Sequence, residues 1–129
     1  MRIVQVGSLP PVVRPQHHEV FAREIWGPAS GGTRVTVTHS VMLATGGAEM
    51  HVHPESEHIF YVLRGELKVY DGKETAIVSA GEGLVIAAGE PHQVTGTGRM
   101  DCEYLSITSP PASWAGKQES NKSQVPSRK

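Results

Sequence analysis

The chain has 129 residues and a formal net charge of −1, and 38% of its residues are hydrophobic. This length suits one domain with its own core, and the near-neutral charge offers no basic surface for nucleic acid. No segment of the sequence approaches the roughly 20 apolar residues of a membrane-spanning helix. The single cysteine, Cys102, excludes an intrachain disulfide, and without a secretory signal in the sequence we predict a cytoplasmic protein.

The first 33 residues are predicted to form an N-terminal strand and arm ahead of the main domain. Residues 3–6 are typical of a short strand, and Val20 to Trp26 are typical of a strand or an irregular arm. His17 and His18 are adjacent and would face opposite ways in an extended segment, so we interpret both as surface residues. An arm of this kind would protect its exposed edge by pairing with a partner subunit, which predicts a homodimer.

Residues 34–43 alternate strictly between two sets of side chains, as a half-buried strand does. The valine-rich set is predicted to face the core, and it comprises Val35, Val37, His39, Val41 and Leu43. This orientation would carry His39 inward, either as a hydrogen-bonded core residue or as a residue with a role at a ligand site. Residues 45–48 are predicted to be a turn.

Three histidines, His51, His53 and His58, fall within eight residues, immediately before the apolar run of residues 59–63. Alternate residues of a strand share a face, so His51 and His53 can direct two imidazoles at one point, and a strand folding back could add His58. Imidazole is the commonest metal ligand. The alternative is that these histidines are exposed on a polar loop.

The rest of the chain predicts short strands separated by turns. Asp71-Gly72 between two β-rich runs indicates a hairpin, and further strands are predicted at residues 84–87, 93–95 and 101–108. In total, nine or ten short strands indicate an all-β sandwich or barrel over residues 34–115. Residues 116–129 are polar and basic and are predicted to be a disordered tail.

A fourth histidine, His92, follows the turn of residues 88–91, and with it two spaced motifs are complete. The stretch from Gly46 to Gly65 fits the form G-x5-H-x-H-x3,4-E-x6-G, and the stretch from Gly81 to Gly96 fits G-x5-P-x-G-x2-H-x3-N at its glycines and histidine. On these motifs the sequence resembles the cupin superfamily. The resemblance implies a jelly-roll barrel of two antiparallel sheets.

The resemblance also implies a metal site, with departures from the usual pattern. Counting back from Gly65 puts His58 where cupins usually have a glutamate, so the implied ligands are His51, His53, His58 and His92, without a carboxylate. If Glu57 binds instead, the strand must bulge there. The other departures concern turns: Gly46 precedes His51 by four residues rather than five, and Ala87 and Gly96 replace the usual proline and asparagine. One divalent transition metal is expected, and nitrogen ligands do not decide among Zn, Fe, Ni, Mn, Co and Cu.

Three functions remain open for such a site. The short domain is similar to the cupin cyclases of aromatic polyketide biosynthesis, which implies an aldol-type cyclisation and dehydration of a small organic substrate. The alternatives are an O₂-dependent dioxygenase similar to quercetinase-like cupins, and a metal- or ligand-binding cupin without catalysis. The barrel interior is predicted to be mostly apolar, lined by Phe60, Val62, Leu84, Ile86 and Val94. Polar candidates to assist the metal are His39, Glu49, Tyr61, Gln93 and Tyr104.

Overall fold

Eight strands make up half of residues 1–112, the part of the chain that the computed structural model describes. The strands are β1 (His17–Trp26), β2 (Thr36–Ala48), β3 (Glu57–Arg64), β4 (Glu66–Tyr70), β5 (Thr75–Ser79), β6 (Gly83–Ile86), β7 (Gln93–Thr95) and β8 (Cys102–Ser109). The predicted all-β class is confirmed, but nine or ten strands were too many, because residues 3–6 form no strand and Val6 already begins the short 3₁₀ turn Val6–Ser8. The end of the predicted barrel and its tail, residues 113–129, lie outside the described residues. Residues 1–112 contain no helix of the length and apolarity needed to cross a membrane.

The strands pair antiparallel into a nearly closed barrel. Their order is β5-β4-β7-β2-β8-β3-β6, and β1 is added alongside β2. The long strand β2 joins the two halves of the barrel, since it pairs with β1 and β8 and also, through Gly47, with β7. This arrangement agrees with the predicted jelly roll.

The N-terminal region pairs with its own chain. Strand β1 runs along β2 from the pair His17 and Ala48 to the pair Trp26 and Val37. The region predicted as a strand or an irregular arm is therefore a strand, and its edge is occupied by β2 of the same chain.

Strand β2 presents the opposite face to the interior from the one predicted. Within residues 36–43 the buried residues are Thr36, Thr38, Ser40 and Met42, whereas the valine-rich set, including His39, is only partly buried and faces outward. Alternation shows that a strand has two different faces but not which of them is buried. The more apolar face was predicted to be the inner one, and this choice was wrong. Here the outer face is itself apolar, and the inner face carries hydroxyls because it borders a polar cavity.

Residues 45–48 continue strand β2 rather than forming the predicted turn. Gly46 packs so closely on β1 that a side chain there would clash with the Glu19 carbonyl oxygen, and Gly47 lies directly against Thr95. The glycines that suggested a turn instead allow close approach of neighbouring backbones.

An apolar core packs inside the barrel. It includes Met42, Val62 and Leu67, each at most 1% exposed. Cys102 is also buried there, and burial raises the pKa of its thiol to about 12, so the thiol stays protonated and packs as a small apolar group. The β4–β5 hairpin forms as predicted, with Asp71 Oδ1 accepting hydrogen bonds from the backbone N–H groups of Lys73 and Glu74.

Candidate metal centre

An isolated antiparallel bridge brings together two histidines that are far apart in sequence. The backbone N–H of His51 donates to the His92 carbonyl at 3.0 Å, and the N–H of His92 donates to the His51 carbonyl at 3.0 Å. Residues directly opposite in such a pair hold their side chains close together. The two imidazole centroids are accordingly only 4.4 Å apart.

The same two imidazoles are held in a tautomer suited to metal binding. His51 Nδ1 lies 2.7 Å from the Glu49 carbonyl oxygen and His92 Nδ1 lies 3.0 Å from the Glu90 carbonyl oxygen. Since a carbonyl oxygen only accepts hydrogen bonds, each Nδ1 carries the hydrogen and each Nε2 presents a lone pair. A backbone carbonyl behind one ring nitrogen is a common arrangement around histidines that bind metals through the other nitrogen.

His53 completes a group of three. One ring nitrogen from each of His51, His53 and His92 lies within 4.8 Å of the others. His53 and His92 are buried, with 3% and 1% exposure, and the loop between β6 and β7 is fixed to His53 through a 2.9 Å hydrogen bond from the Gly89 N–H to the His53 carbonyl. The donor set fits a divalent transition ion that prefers nitrogen ligands.

His58 faces the same group, and Glu57 faces away. The β3–β8 register is regular from Glu57 to Val62, so there is no bulge at Glu57, which is exposed while His58 is buried. The His58 ring centroid is 5.2 Å from that of His53 and 5.6 Å from that of His92. His58 is not one of the three residues whose ring nitrogens lie within 4.8 Å of one another, and its Nε2 lies 2.8 Å from Ser106 Oγ. Its role as a fourth ligand stays a prediction.

Burial keeps the imidazoles of His51 and His58 neutral. Burial lowers the pKa of His51 to about 3, although the Glu49 carbonyl raises it to a smaller extent. Burial also lowers the pKa of His58 to about 2, and the neighbouring histidines add to this effect. A neutral imidazole is the form that binds a metal ion, so protons do not compete with the ion near neutral pH.

Comparison with known proteins decides the family. The cupin domain model matches residues 39–108, which include the four candidate ligand histidines and strands β3 to β7. This chain is a cupin. Its barrel superposes on the polyketide cyclase RemF from Streptomyces resistomycificus with a TM-score of 0.76 and 26% identity, over 88% of this chain and 82% of that one.

Two curated relatives match a shorter region of this cupin. One is the uncharacterized protein YdbB of Bacillus subtilis, 43% identical over 58 residues, which are 43% of this chain and 51% of the relative. The other is an oxalate-binding protein of Thermotoga maritima, 31% identical over 58 residues, or 45% of this chain and 48% of the relative. The chain thus spans about half the length of the curated relatives it matches.

The cupin barrel encloses a cavity beside the histidines, and its wall is more polar than predicted. Phe60 and Val94 line it as expected, while Val62, Leu84 and Ile86 belong to the core cluster or pack against it. Hydroxyl groups also line the wall, and they come from Thr38, Ser40, Tyr104, Ser106 and Thr108. The cavity therefore offers several donors and acceptors close to His51 and His58.

Two residues of the cavity wall were missed by sequence reasoning. His17 was interpreted as a surface residue, but it is only partly exposed and its ring centroid lies 6.3 Å from that of His51, whereas His18 is exposed as expected. Arg14 also lines the cavity. Because adjacent residues of a strand face opposite ways, one of His17 and His18 could have been expected to face inward. The sequence around Arg14 contains no pattern that would place Arg14 in a cavity wall.

Of the five polar candidates, the structure places only Tyr104 in the cavity wall. It is 4% exposed, and burial raises the pKa of its phenol, which therefore remains a proton donor. Gln93 is partly buried on β7, and Glu49 is exposed and contributes its backbone carbonyl behind His51. The other two are on the outer surface: Tyr61 is 41% exposed, and His39 Nε2 contacts Glu103 Oε2 at 2.6 Å.

Proposed function

We propose that this cupin is a metal-dependent enzyme that cyclises and dehydrates a small polyketide-like substrate by an aldol-type reaction. The observation that carries the proposal is the convergence of three imidazoles, His51, His53 and His92, beside a cavity whose wall includes hydroxyl groups. The likeness to the cyclase RemF supports the choice of reaction.

The histidines would hold one divalent transition ion, and His58 would be the fourth ligand. A bound ion supplies Lewis acidity, which stabilises the negative charge that develops on a carbonyl oxygen when an enolate forms. Imidazole ligands leave the full charge of the ion available for this purpose, whereas a carboxylate ligand would cancel part of it.

Tyr104 would provide the proton that the reaction needs. In an aldol-type step the α-carbon loses a proton to solvent, the resulting enolate carbon forms a bond to a second carbonyl carbon, and the oxygen of that carbonyl takes up a proton. The hydroxyl group formed and the second proton of the α-carbon then leave as water, which gives the dehydrated ring. The phenol of Tyr104 is protonated at neutral pH and lies in the cavity wall, so it can donate this proton.

The proposal is tested by incubating separate zinc and iron forms of the protein with a linear poly-β-ketone and following the cyclised, dehydrated product. We expect turnover with zinc, which has no redox chemistry, and about a hundredfold loss in Tyr104→Phe at unchanged metal content. Tyr61→Phe is the matched control, since Tyr61 faces outward, and should retain full activity. Equal activity of both variants would refute the role of Tyr104, and absence of product with every metal would refute cyclisation.

An O₂-dependent dioxygenase is the second candidate, because a nitrogen donor set also binds redox-active iron or copper. O₂ uptake with flavonols by the iron or copper form, together with inactivity of the zinc form, would favour it. A stoichiometric metal without turnover of either kind would favour a non-catalytic binding protein.

We also propose that this cupin forms a homodimer, in the cytoplasm, through the outer face of β3 and β6. Ile59, Tyr61, Leu63 and Val85 are at least 37% exposed there, and Ile59 pairs with Val85 across the two strands, so the apolar side chains form one patch. We expect light scattering to give the mass of a dimer and Val85→Lys to give that of a monomer. Ile77→Lys, at an exposed apolar position on β5, is the control and should stay dimeric; a monomeric parent protein would contradict the proposal.

A further inference from the structure

His58 on β3 and Ser106 on β8 are joined by a side-chain hydrogen bond inside the barrel. In the antiparallel register Ser106 lies opposite Phe60, two residues from His58, so it is the diagonal neighbour of His58 on the inner face. The ring nitrogen that lies farther from the backbone, His58 Nε2, is 2.8 Å from Ser106 Oγ. The register of the two strands therefore decides which ring nitrogen Ser106 contacts.

The other ring nitrogen, His58 Nδ1, is buried and forms no hydrogen bond with any of residues 1–112. His58 differs in this respect from His51 and His92, whose Nδ1 atoms lie against backbone carbonyl oxygens. A buried polar atom without a hydrogen-bond partner is uncommon in a folded protein, and binding of an ion is one way in which such an atom is satisfied. His58 Nδ1 is therefore a candidate ligand atom.

The two tautomers of His58 differ in what they place at this buried atom. The ring is neutral because burial lowers its pKa, so one of its nitrogens carries a hydrogen and the other has a lone pair. If the Ser106 hydroxyl donated to Nε2, the hydrogen of the ring would be on Nδ1, and a buried N–H group would have no acceptor, which is costly. If Nε2 donates to Ser106 Oγ, the lone pair is on Nδ1, where a metal ion can bind it.

Aromatic packing restrains the His58 ring in this orientation. The ring centroid of Phe60 is 4.4 Å from that of His58, and the two planes are tilted by 38°. Phe60 is itself 6% exposed and packs against Tyr104, with the two ring centroids 5.5 Å apart. Turning the imidazole to exchange its two nitrogens would break the hydrogen bond to Ser106.

We propose that His58 binds the metal ion through Nδ1 and that Ser106 is a positioning residue, which accepts the hydrogen of His58 Nε2 and thereby leaves the lone pair on Nδ1. A hydrogen-bond partner behind the nitrogen that does not bind is a common feature of histidines that bind metals. His51 and His92 have a backbone carbonyl in that place and would bind through Nε2, so the ligand set combines both kinds of ring nitrogen. The inference rests on the proposed function for the presence of the metal ion and does not depend on the reaction.

NMR of protein with isotopically labelled histidine tests which nitrogen binds, in the metal-free form, the zinc form and a form loaded with a magnetic cadmium isotope. Couplings to the ring hydrogens distinguish Nδ1 from Nε2, and the signals of His58 are those that disappear in His58→Gln. We expect the hydrogen of His58 on Nε2 in the zinc form and a coupling between cadmium and His58 Nδ1, whereas cadmium should couple to Nε2 of His51 and His92. Coupling of cadmium to His58 Nε2, or to neither nitrogen of His58, would refute the inference.

Zinc affinity, titrated under a competing chelator, tests the role of Ser106. We expect Ser106→Ala to weaken zinc binding about 10- to 100-fold and Ser106→Thr, which restores a hydroxyl, to bind zinc nearly as well as the parent. Thr108→Val is the matched control and should match the parent, because it removes another hydroxyl of β8 from the cavity wall and leaves the His58–Ser106 hydrogen bond in place. An unchanged affinity in Ser106→Ala contradicts the inference, and so does an increased one, which would mean that Ser106 competes with the metal for His58 Nε2.

The outcomes separate this inference from the proposed function. Zinc bound through His51, His53 and His92 without His58 would refute the inference and leave the proposed reaction standing. Zinc bound through His58 Nδ1 in a protein that yields no cyclised product would support the inference while the proposed reaction fails. Melting temperatures identify any variant that loses zinc because it unfolds, and in that case the cadmium couplings of the parent protein, which need no substitution at Ser106, decide the question.

Discussion

Replacing His92 with alanine is expected to leave the purified protein without stoichiometric metal. His92 supplies one of the three convergent ring nitrogens and is 1% exposed. Loss of a hydrogen-bond partner behind a metal ligand typically costs about 10- to 100-fold in affinity, and loss of the ligand itself should cost more. Elemental analysis of protein purified without added metal, followed by titration with zinc under a competing chelator, measures the change.

His18→Ala is the matched control, because His18 is exposed and its Nε2 contacts the Thr45 carbonyl away from the cluster. It should keep the metal content of the parent. In the same series, His58→Ala should weaken zinc binding much more than Glu57→Ala, because His58 faces the cluster and Glu57 faces out. A metal-replete His92→Ala protein would refute the site, and a greater loss in Glu57→Ala would refute the four-histidine set.

The histidine cluster could be anticipated because its geometry depends on local periodicity. Residues two apart in an extended segment share a face, which applies to His51 and His53 whatever the rest of the fold does. The approach of His92 required more than periodicity, namely the glycine spacing that the family resemblance supplied. The backbone bridge between His51 and His92 gives the physical basis for that spacing.

Other parts of the site could not be anticipated because they depend on packing between distant segments. The inward face of β2 was assigned wrongly because hydropathy favoured the valines, while the actual interior needs the hydroxyls of Thr38 and Ser40 around the cavity. Arg14 reaches the cavity only because Val12 pairs with Ala22. A single bridge of this kind leaves no periodic pattern in the sequence.

Gly65, which ends the first cupin motif, joins β3 to β4, and two separate constraints act on it. Its φ angle is +82°, in the region that residues with a Cβ rarely adopt, and a Cβ there would overlap the carbonyl oxygen of Asp101. Gly72, in the β4–β5 hairpin, has a φ angle of +100° but no neighbouring atom within 4 Å of a Cβ. Both glycines therefore have a positive φ angle, but Gly72 has room for a Cβ and Gly65 does not.

Gly65→Ala is expected to lower the free energy of unfolding by about 2–5 kcal/mol, and Gly72→Ala by about 1–2 kcal/mol. The left-handed conformation costs a residue with a Cβ about 1–2 kcal/mol, and forcing an extra carbon against fixed backbone costs about 1–3 kcal/mol more. Urea unfolding followed by fluorescence measures both changes, and equal m-values would show that the comparison is between similar unfolding reactions. If the two variants lose the same stability, the Asp101 contact has no cost, and the motif glycine is required for its turn conformation alone.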